Sequence, residues 1–260
     1  VVGPGLDAKL KLLYPFYRSF ERALLKRADA VIATSPPYLE SSRALQPFRG
    51  KCRVIPLGLD PARVEVCREH EASAWRDSDS LKVLAVGRLS RYKGFEVLLR
   101  AAARAAEVEV VIAGEGQQRR RLERLLHREA ADEAGQRLIG SVDDAGRNRL
   151  MAGCDVFCLP SVNRGEAFGL SLVEAMAAGK PQVATRVPGA GMDWVVEEGR
   201  TGWMVAPGEV AELAALLGRL ARQRSILHEA GRQARLRFEQ RFRIDAVARQ
   251  VMAVYKSVLS

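Results

Sequence analysis

The chain has 260 residues, of which 48% are hydrophobic, and a formal net charge of +10 at pH 7. That length suffices for one large domain, or for one domain and part of a second. The sequence shows no signal peptide and no apolar run near the roughly 20 residues that span a bilayer. This positive net charge favours an anionic partner: nucleic acid, an acidic membrane or a phosphorylated small molecule. Because the chain begins at Val1 without a methionine, we expect residues to precede it.

The four cysteines predict thiols rather than a metal site. No two of them are separated by two residues, which is the spacing that zinc sites commonly use. Cysteine packs as a small hydrophobe, and free thiols persist in a reducing cytosol. We therefore expect buried, unpaired side chains at all four positions: Cys52, Cys67, Cys154 and Cys158.

The first 80 residues predict a helix, two short strands and a linker. Residues 8–27 mix apolar and basic side chains and favour a helix, in which Pro15 would introduce a kink. The runs ADAVIATS and KCRVIPLGLD are each typical of a short strand. Residues 58–80 are polar and lack a clean period, which predicts a linker.

From Leu81 onward, strands alternate with helices. The runs LKVLAVG, VEVVIAG, RLIGS, DVFCLPS and KPQVATRV are of strand length, and amphipathic segments separate them. The strands are almost continuously apolar, as strands buried on both faces should be. This order predicts an α/β fold with a Rossmann-like, doubly wound parallel sheet. After Gly208 the pattern is helical, and it closes on an amphipathic helix, Ile244–Leu259.

In open parallel sheets, ligands bind at the carboxyl ends of the strands, and four loops of this chain fall there. In the first, VGRLSRYKG, Arg88 and Lys93 flank the entrance to a helix. Two cations beside a helix start suit a phosphate or diphosphate, because the helix dipole also attracts an anion. The alternative is that both are ordinary solvated charges in an arginine-rich chain.

The second and third loops carry weaker signals. AGEGQQR begins like a dinucleotide fingerprint, but Arg119 replaces the third glycine, so a plain turn is favoured over a nicotinamide site. In IGSVDD a backbone edge would read a nucleobase, or else Asp143 or Asp144 caps the following helix.

The fourth loop, GEAFGLSLVEAMAAGKP, places one carboxylate before a predicted helix and a second one inside it. Glu166 and Glu174 can accept hydrogen bonds from hydroxyls, while amides at the helix start hold a phosphate. This combination suits a sugar nucleotide. The alternative is structural: Ser171 and Glu174 form a capping box, and Glu166 is a surface acid.

Taken together in order and spacing, these loops resemble glycosyltransferase family 4. The matching segments are VGRLSRYKGFEVLLRA, VVIAGEG, IGSV, LPSVNRGEAFGLSLVEAMAAGKPQVAT and EEGRTGWMVAPGE. They cover the carboxyl-terminal, donor-binding half of these retaining enzymes of GT-B fold. A weaker similarity extends back over ADAVIATS and RVIPLGLD.

The resemblance implies a domain division. Residues 1–57 would be the remainder of the amino-terminal acceptor domain, most of which precedes residue 1. Residues 58–80 would be the linker, and residues 81–240 the Rossmann-like donor-binding domain. Residues 241–260 would form a helix that crosses back to the first domain.

The resemblance also implies a metal-independent and cofactor-free transfer with retention at the anomeric carbon. Its catalytic positions would be Arg88 and Lys93, which hold the donor diphosphate and stabilise the leaving group, and Glu166, which contacts hydroxyls of the transferred sugar. The implied donor is a nucleotide-diphosphate sugar.

The remaining implied donor contacts are distributed over two loops. Phe168, Gly169 and Leu170 would offer backbone contacts at the helix start. Glu174 would bind the ribose, and Val142 would lie against the base.

The segments VIATSPPYLESS and VNRGEAFGLSLVEAMAAGKP resemble bacterial mannosyl- and rhamnosyl-type transferases of polysaccharide assembly. This favours a GDP-sugar over a UDP-sugar as donor and a mannose-like hexose as the transferred group. The acceptor would be a saccharide or a lipid-linked sugar. The expected location is the cytoplasm, or the inner face of the cytoplasmic membrane.

Several alternatives stay open on the sequence. A nucleotide-sugar epimerase of GT-B-like fold would use the same donor site, and a non-catalytic basic module would dock on a membrane. The helix at residues 8–27 would either lie on an anionic membrane or pack on the missing domain. A metal-binding DSD motif at residues 77–79 is disfavoured because it precedes a strand. Nucleic acid is disfavoured because no reader motif is present.

Overall fold

The structure, a computed structural model, describes residues 8–64, 75–76, 79–128 and 135–260, with side chains from residue 17. The strands are β1 (Val31–Ala33), β2 (Cys52–Val54), β3 (Leu81–Val86), β4 (Val108–Ala113), β5 (Gln136–Gly140), β6 (Val156–Leu159), β7 (Gln182–Thr185) and β8 (Gly202–Val205). The helices are α1 (Ala8–Arg27), α2 (Pro36–Ser41), α3 (Phe95–Ala102), α4 (Arg119–Arg128), α5 (Asp144–Gly153), α6 (Leu170–Ala177), α7 (Met192–Val195), α8 (Val210–Arg222), α9 (Ser225–Arg241) and α10 (Ile244–Leu259).

Strands β3 to β8 form one parallel six-stranded sheet in the order β5-β4-β3-β6-β7-β8. The chain builds outward from β3 to β5, then returns to place β6 on the other side of β3. The direction of winding therefore reverses between β3 and β6, which is the topological switch point of a doubly wound sheet. The predicted α/β fold class is confirmed.

Helices cover both faces of this sheet. On one face, α5, α6 and α7 pack over Leu84 and Phe157. On the other face, α3, α4 and α8 pack over Val83 and Ile112. Both layers are needed because β4 and β6 have no exposed residue along their length. The apolar runs of the sequence thus correspond to strands buried on both faces, as predicted.

Three elements were not predicted from the sequence. Helix α2 follows the predicted strand ADAVIATS directly, and the Ser35 hydroxyl caps it by accepting from the Tyr38 amide at 3.3 Å. Helix α7 and strand β8 follow β7, in a stretch whose sequence pattern predicts neither element. Strand β8 lies between turns at Gly199 and Gly208 and begins at Gly202, so only three apolar residues indicate a strand.

The amino-terminal part contains a separate sheet, formed by the parallel pair β1 and β2. The chain then enters the predicted linker, where Pro61–Val64 form a 3₁₀ turn. Leu59 exchanges backbone hydrogen bonds with the start of α10, at Phe242 and Ile244. The remainder of the linker is described only at residues 75–76 and 79–80, so the DSD motif lies mostly outside the described residues.

Three of the predicted thiols are confirmed. Cys52, Cys154 and Cys158 are buried and unpaired. Burial raises the pKa of Cys154 to about 12 and also raises that of Cys158, so both stay protonated at neutral pH. Cys67 lies outside the described residues. Across the part of the chain that the structure describes, no helix is both long and apolar enough to span a bilayer.

Candidate active site

The loops that follow β3 and β6 meet at the switch point, on the carboxyl edge of the sheet. Gly94 has a positive φ of 69°, and a Cβ there would collide with the carbonyl oxygen of Pro160. The Val162 amide donates to the Tyr92 carbonyl at 2.8 Å. The two loops therefore pack backbone against backbone, and their side chains share one site.

Lys93 and Glu166 form an ion pair in this site. The Lys93 Nζ lies 2.5 Å from the Glu166 Oε2, and each side chain is only 12% exposed. The other carboxylate oxygen, Oε1, accepts from the Gly169 amide at 3.2 Å. A cation, a carboxylate and a helix start are thus joined in one network, which links two positions predicted from different loops.

Gly87 makes room for the lysine. A Cβ at Gly87 would lie 3.3 Å from the Lys93 Cε and 3.5 Å from its Nζ. Arg88 follows it and is exposed. Within the described residues the Arg88 guanidinium has no ion pair, so it is open to an anion at the same edge.

Helix α6 begins with an uncapped amino end. Its N-cap residue is Gly169, with φ 85° and ψ 56°, and no side chain caps the helix. Amides in the first turn of a helix favour an anion, because they lack intrahelical acceptors. Leu170, the first helical residue, is 40% exposed, so this end of the helix is accessible.

The buried side chain of Phe168 anchors the loop between β6 and α6 to the hydrophobic core. Its ring is buried and lies 6.3 Å from the ring centroid of Trp194 and 6.2 Å from that of Phe242. Because the side chain is buried in the core, Phe168 can contact a ligand only through its backbone. That is the role that the family resemblance implies for it.

The capping-box alternative is wrong. Helix α6 starts at Leu170, one residue before Ser171, and Gly169 occupies the N-cap position. The Ser171 hydroxyl is buried and has no hydrogen-bond partner in the described chain. The Glu174 carboxylate lies 3.6 Å from the Arg147 guanidinium of α5, and both side chains are mostly buried.

Arg147 is a site residue that sequence reasoning missed. Its guanidinium also pairs with Asp144 at 2.9 Å and donates to the Arg63 carbonyl at 3.3 Å. Burial raises the pKa of Glu174, while Arg147 acts to lower it. The i, i+3 spacing of Asp144 and Arg147 was visible in the sequence, but their contact with α6 depends on the fold.

The third loop supports the helix-cap interpretation. The Asp143 carboxylate accepts from the Gly146 amide at 2.7 Å and caps α5. Val142 lies just before the cap, half-buried against the core. Its predicted contact with a base is compatible with this position and stays a prediction.

The second loop is a strand-to-helix turn, as favoured from the sequence. It is bonded to the first loop: the Leu89 amide donates to the Glu115 carbonyl at 2.8 Å, and the Gln118 amide to the Leu89 carbonyl at 3.0 Å. Arg119 pairs with Glu115 and Glu123 of its own segment. The loop therefore supports the shape of the Arg88–Lys93 turn.

An unpredicted contact connects α2 to the site loops. The Arg164 guanidinium donates to the Ser41 hydroxyl at 2.9 Å and lies 5.8 Å from the Tyr38 ring centroid. The Ser41 hydroxyl donates to the Pro37 carbonyl at 2.7 Å and also lies 3.3 Å from the Gly189 carbonyl oxygen. The amino-terminal segment thus holds the loops after β6 and β7 next to each other.

Comparisons with known proteins agree with this geometry. Residues 80–223, more than half of the chain, match the family described as glycosyl transferases group 1. This chain belongs to that family. Residues 4–63 match the family described as glycosyltransferase family 4. The family resemblance expected from the loops is therefore confirmed.

Named relatives are bacterial transferases. The chain is 29% identical over 255 residues to O-antigen chain mannosyltransferase C of Escherichia coli, covering 96% of this chain and 67% of the relative. It is 32% identical over 236 residues to D-rhamnosyltransferase WbpZ of Pseudomonas aeruginosa, covering 89% of this chain and 60% of the relative. This glycosyltransferase chain thus spans 60–67% of the length of these two relatives.

Solved structures agree on the fold. The crystal structure of HepE from Anabaena in complex with UDP and glucose matches with a TM-score of 0.76 and 25% identity. The match covers 94% of this chain and 69% of that protein. The fold of this family member is accordingly the GT-B type, as predicted.

Proposed function

We propose that this protein is a retaining, metal-independent hexosyltransferase that uses a nucleotide-diphosphate sugar, with GDP-mannose or a related GDP-sugar as donor. The observation that carries the proposal is the Lys93–Glu166 ion pair at the switch point, joined to the uncapped start of α6. The site combines cations and amides for a diphosphate with a carboxylate for sugar hydroxyls. A mannosyltransferase and a rhamnosyltransferase among the relatives support a mannose-like sugar.

In the proposed reaction, the bond between the anomeric carbon and the donor phosphate oxygen breaks, and the diphosphate leaves with the electron pair. Arg88, Lys93 and the first-turn amides of α6 stabilise that negative charge. The acceptor hydroxyl attacks from the face that the diphosphate leaves, and its proton passes to the departing phosphate. The configuration at the anomeric carbon is retained.

For this to happen, Lys93 and Glu166 must exchange partners. Without a ligand they neutralise each other at 2.5 Å. A bound donor offers phosphate oxygens to Lys93 and hydroxyls to Glu166, so each group finds a new partner when the ion pair opens. Glu174, on helix α6, would accept hydrogen bonds from the ribose.

The proposed acceptor is inferred from the named relatives alone. We propose a saccharide or lipid-linked acceptor in cell-surface polysaccharide synthesis, in the cytoplasm or at the inner face of the cytoplasmic membrane. The O-antigen mannosyltransferase supports this assignment.

Thermal shifts with GDP, UDP, ADP and NAD at matched concentrations test the donor site. A ligand at one hundred times its dissociation constant stabilises a protein by about 2.7 kcal/mol. We expect a selective shift with GDP that is lost in Arg88→Ala. Arg104→Ala, an exposed arginine that follows α3 at the opposite edge of the sheet, is the matched control and should keep the shift.

Other outcomes correct the proposal in defined ways. A selective UDP shift would keep the transferase and replace the GDP-sugar, in line with the UDP bound by HepE. A shift with NAD alone would contradict the donor site. An Arg88→Ala variant that responds like the wild type would show that Arg88 does not hold the diphosphate.

A further inference from the structure

A second basic feature lies between helices α3 and α4, on the face of the sheet opposite to α5 and α6. The two helices leave a cleft of about 630 Å³ between their outer surfaces. The cleft is lined by Glu96, Arg100, Arg121, Arg124, Leu125, His127 and Arg128. The donor-site residues Lys93, Glu166 and Glu174 do not contribute to it.

The cleft holds more positive than negative charge. Four arginines line it against one glutamate, an excess of three positive charges. That glutamate, Glu96, is already shared by Arg100 at 2.9 Å and Arg121 at 2.8 Å. Arg124 and Arg128 have no carboxylate partner in the part of the chain that the structure describes.

Hydrogen-bond acceptors are also scarce. The Arg100 Nε is buried and has no hydrogen-bond partner among the described residues. A buried polar N–H normally finds an acceptor, since an unmet donor destabilises the fold. The buried side chain of Leu125 is aliphatic and supplies no hydrogen-bond acceptor. Donors therefore exceed acceptors in this cleft, and an anion with several oxygens would correct both the charge and the hydrogen bonding.

We propose that this cleft binds a phosphate group. Planar guanidinium groups bind phosphate with paired hydrogen bonds, and several of them around one cleft match a tetrahedral anion better than lysines would. The phosphate could belong to a lipid headgroup or to a soluble phosphorylated molecule, and the same arginines recognise both. The inference is independent of the donor site, because it uses other residues on the other face of the sheet.

The test compares two double variants with the same change in charge. Arg124→Gln with Arg128→Gln alters the cleft at two exposed positions. Arg219→Gln with Arg222→Gln, exposed in the last turn of α8, is the control outside the cleft. Circular dichroism and thermal unfolding first establish that both variants fold as the wild type does.

Two probes distinguish the sources of phosphate. The first is co-sedimentation with vesicles of phosphatidylglycerol in phosphatidylcholine. The second is calorimetric titration with inorganic pyrophosphate, in chains that also carry Arg88→Ala and Lys93→Ala so that the donor site does not contribute. Both are repeated at raised salt, which should weaken binding.

We expect the cleft variant to lose roughly tenfold in affinity for each guanidinium removed, and the control variant to bind as the wild type does. A loss with vesicles alone assigns the site to a lipid headgroup, and a loss with pyrophosphate assigns it to a soluble phosphate. Equal binding of both probes by the cleft and control variants overturns the proposal.

Discussion

At the scale of single residues, the site depends on charges that compensate each other away from water. Lys93 and Glu166 are both largely buried, and so are Arg147 and Glu174. A buried charge that loses its partner is costly, because neither water nor a counter-charge replaces it. Each ion pair can therefore be tested by replacing one of its two residues and measuring the effect on ligand binding or on stability.

The first prediction concerns Lys93. Lys93→Ala should weaken nucleoside-diphosphate binding by about tenfold or more, since a charge-assisted hydrogen bond contributes about 1.5–3 kcal/mol. Glu166→Gln should leave that binding intact or tighten it, because Lys93 no longer has a competing partner, while transfer from a nucleotide sugar falls. Calorimetric titration with the diphosphate measures the first effect, and a transfer assay measures the second.

Lys82→Ala is the control, since Lys82 lies at the amino end of β3, away from the carboxyl edge. Weaker diphosphate binding in both Lys93→Ala and Glu166→Gln would contradict this division of roles. It would show that the ion pair itself supports the site.

The second prediction concerns the pH dependence of stability through Glu174. Burial raises the pKa of this carboxyl, and Arg147 opposes the rise. A carboxyl with a raised folded pKa stabilises the fold below its unfolded pKa, and that contribution is lost as pH rises through the folded pKa. Arg147→Ala should raise the pKa of Glu174 further. It should therefore destabilise the protein by about 1–3 kcal/mol at pH 8, and by less near pH 4.5.

Urea unfolding across this pH range measures the effect. Glu174→Gln in the Arg147→Ala background should remove most of the pH dependence of the loss. A loss that is the same at both pH values would mean that Arg147 acts through Asp144 and the Arg63 carbonyl instead.

At the scale of elements, the start of α6 is the feature that the sequence described least well. The letters Ser171 and Glu174 fit a capping box, yet Gly169 occupies the N-cap position in a left-handed conformation. A Cβ at Gly169 would lie 2.8 Å from the Leu172 Cδ1 and 3.2 Å from the Leu159 Cδ2. Gly169 packs closely against Leu159 of β6 and donates to Glu166, whereas the Ser171 hydroxyl takes no part in capping the helix.

Gly169→Ala tests this interpretation against a matched glycine. Gly208 has nearly the same φ, 86° against 85°, but no atom lies within 4 Å of a Cβ placed there. Both alanine variants should lose about 1 kcal/mol or more from backbone strain. Gly169→Ala should lose more because of the clash, and it alone should weaken diphosphate binding. Urea unfolding and calorimetric titration measure the two effects. Equal losses without a binding defect would mean that the helix start does not contact the ligand.

Most helices and strands could be predicted because their local signals were strong. The strands at Leu81–Val86 and Val108–Ala113 are apolar except at Lys82 and Glu109, a pattern typical of a sheet covered on both faces. Strand β8 was missed because it begins at Gly202, a poor strand former, and only three apolar residues follow it. Helix α2 has only six residues and no buried one, so it shows no apolar period, although Pro36 and Pro37 suit the first turn of a helix.

At the scale of the whole molecule, close contacts connect the amino-terminal part to the donor-site side of the sheet. Arg164 and Ser41 form one contact, beside the loop that carries Glu166. Gly58 forms another, where a Cβ would lie 2.9 Å from the Ile244 Cα at the start of α10. The last helix can approach this closely only because Gly58 has no side chain.

Gly58→Ala should therefore destabilise the protein by about 1–3 kcal/mol, the range expected for overpacking a close contact. It should also make α10 more susceptible to limited proteolysis. Gly50→Ala, with no atom within 4 Å of its Cβ position, should have little effect. Unchanged stability and proteolysis in Gly58→Ala would mean that α10 can shift to admit a methyl group at no cost.

The sequence by itself determined the fold class, the four loops at the strand ends and the membership of the family, because these follow from local periodicity and from the order of motifs. Only the tertiary structure decided which loop residues meet. Lys93 and Glu166 are 73 positions apart and pair because the chain returns to lay β6 beside β3. Arg147 reaches Glu174 because α5 and α6 cover the same face of the sheet. Such contacts depend on strand order and helix packing, which no local pattern specifies.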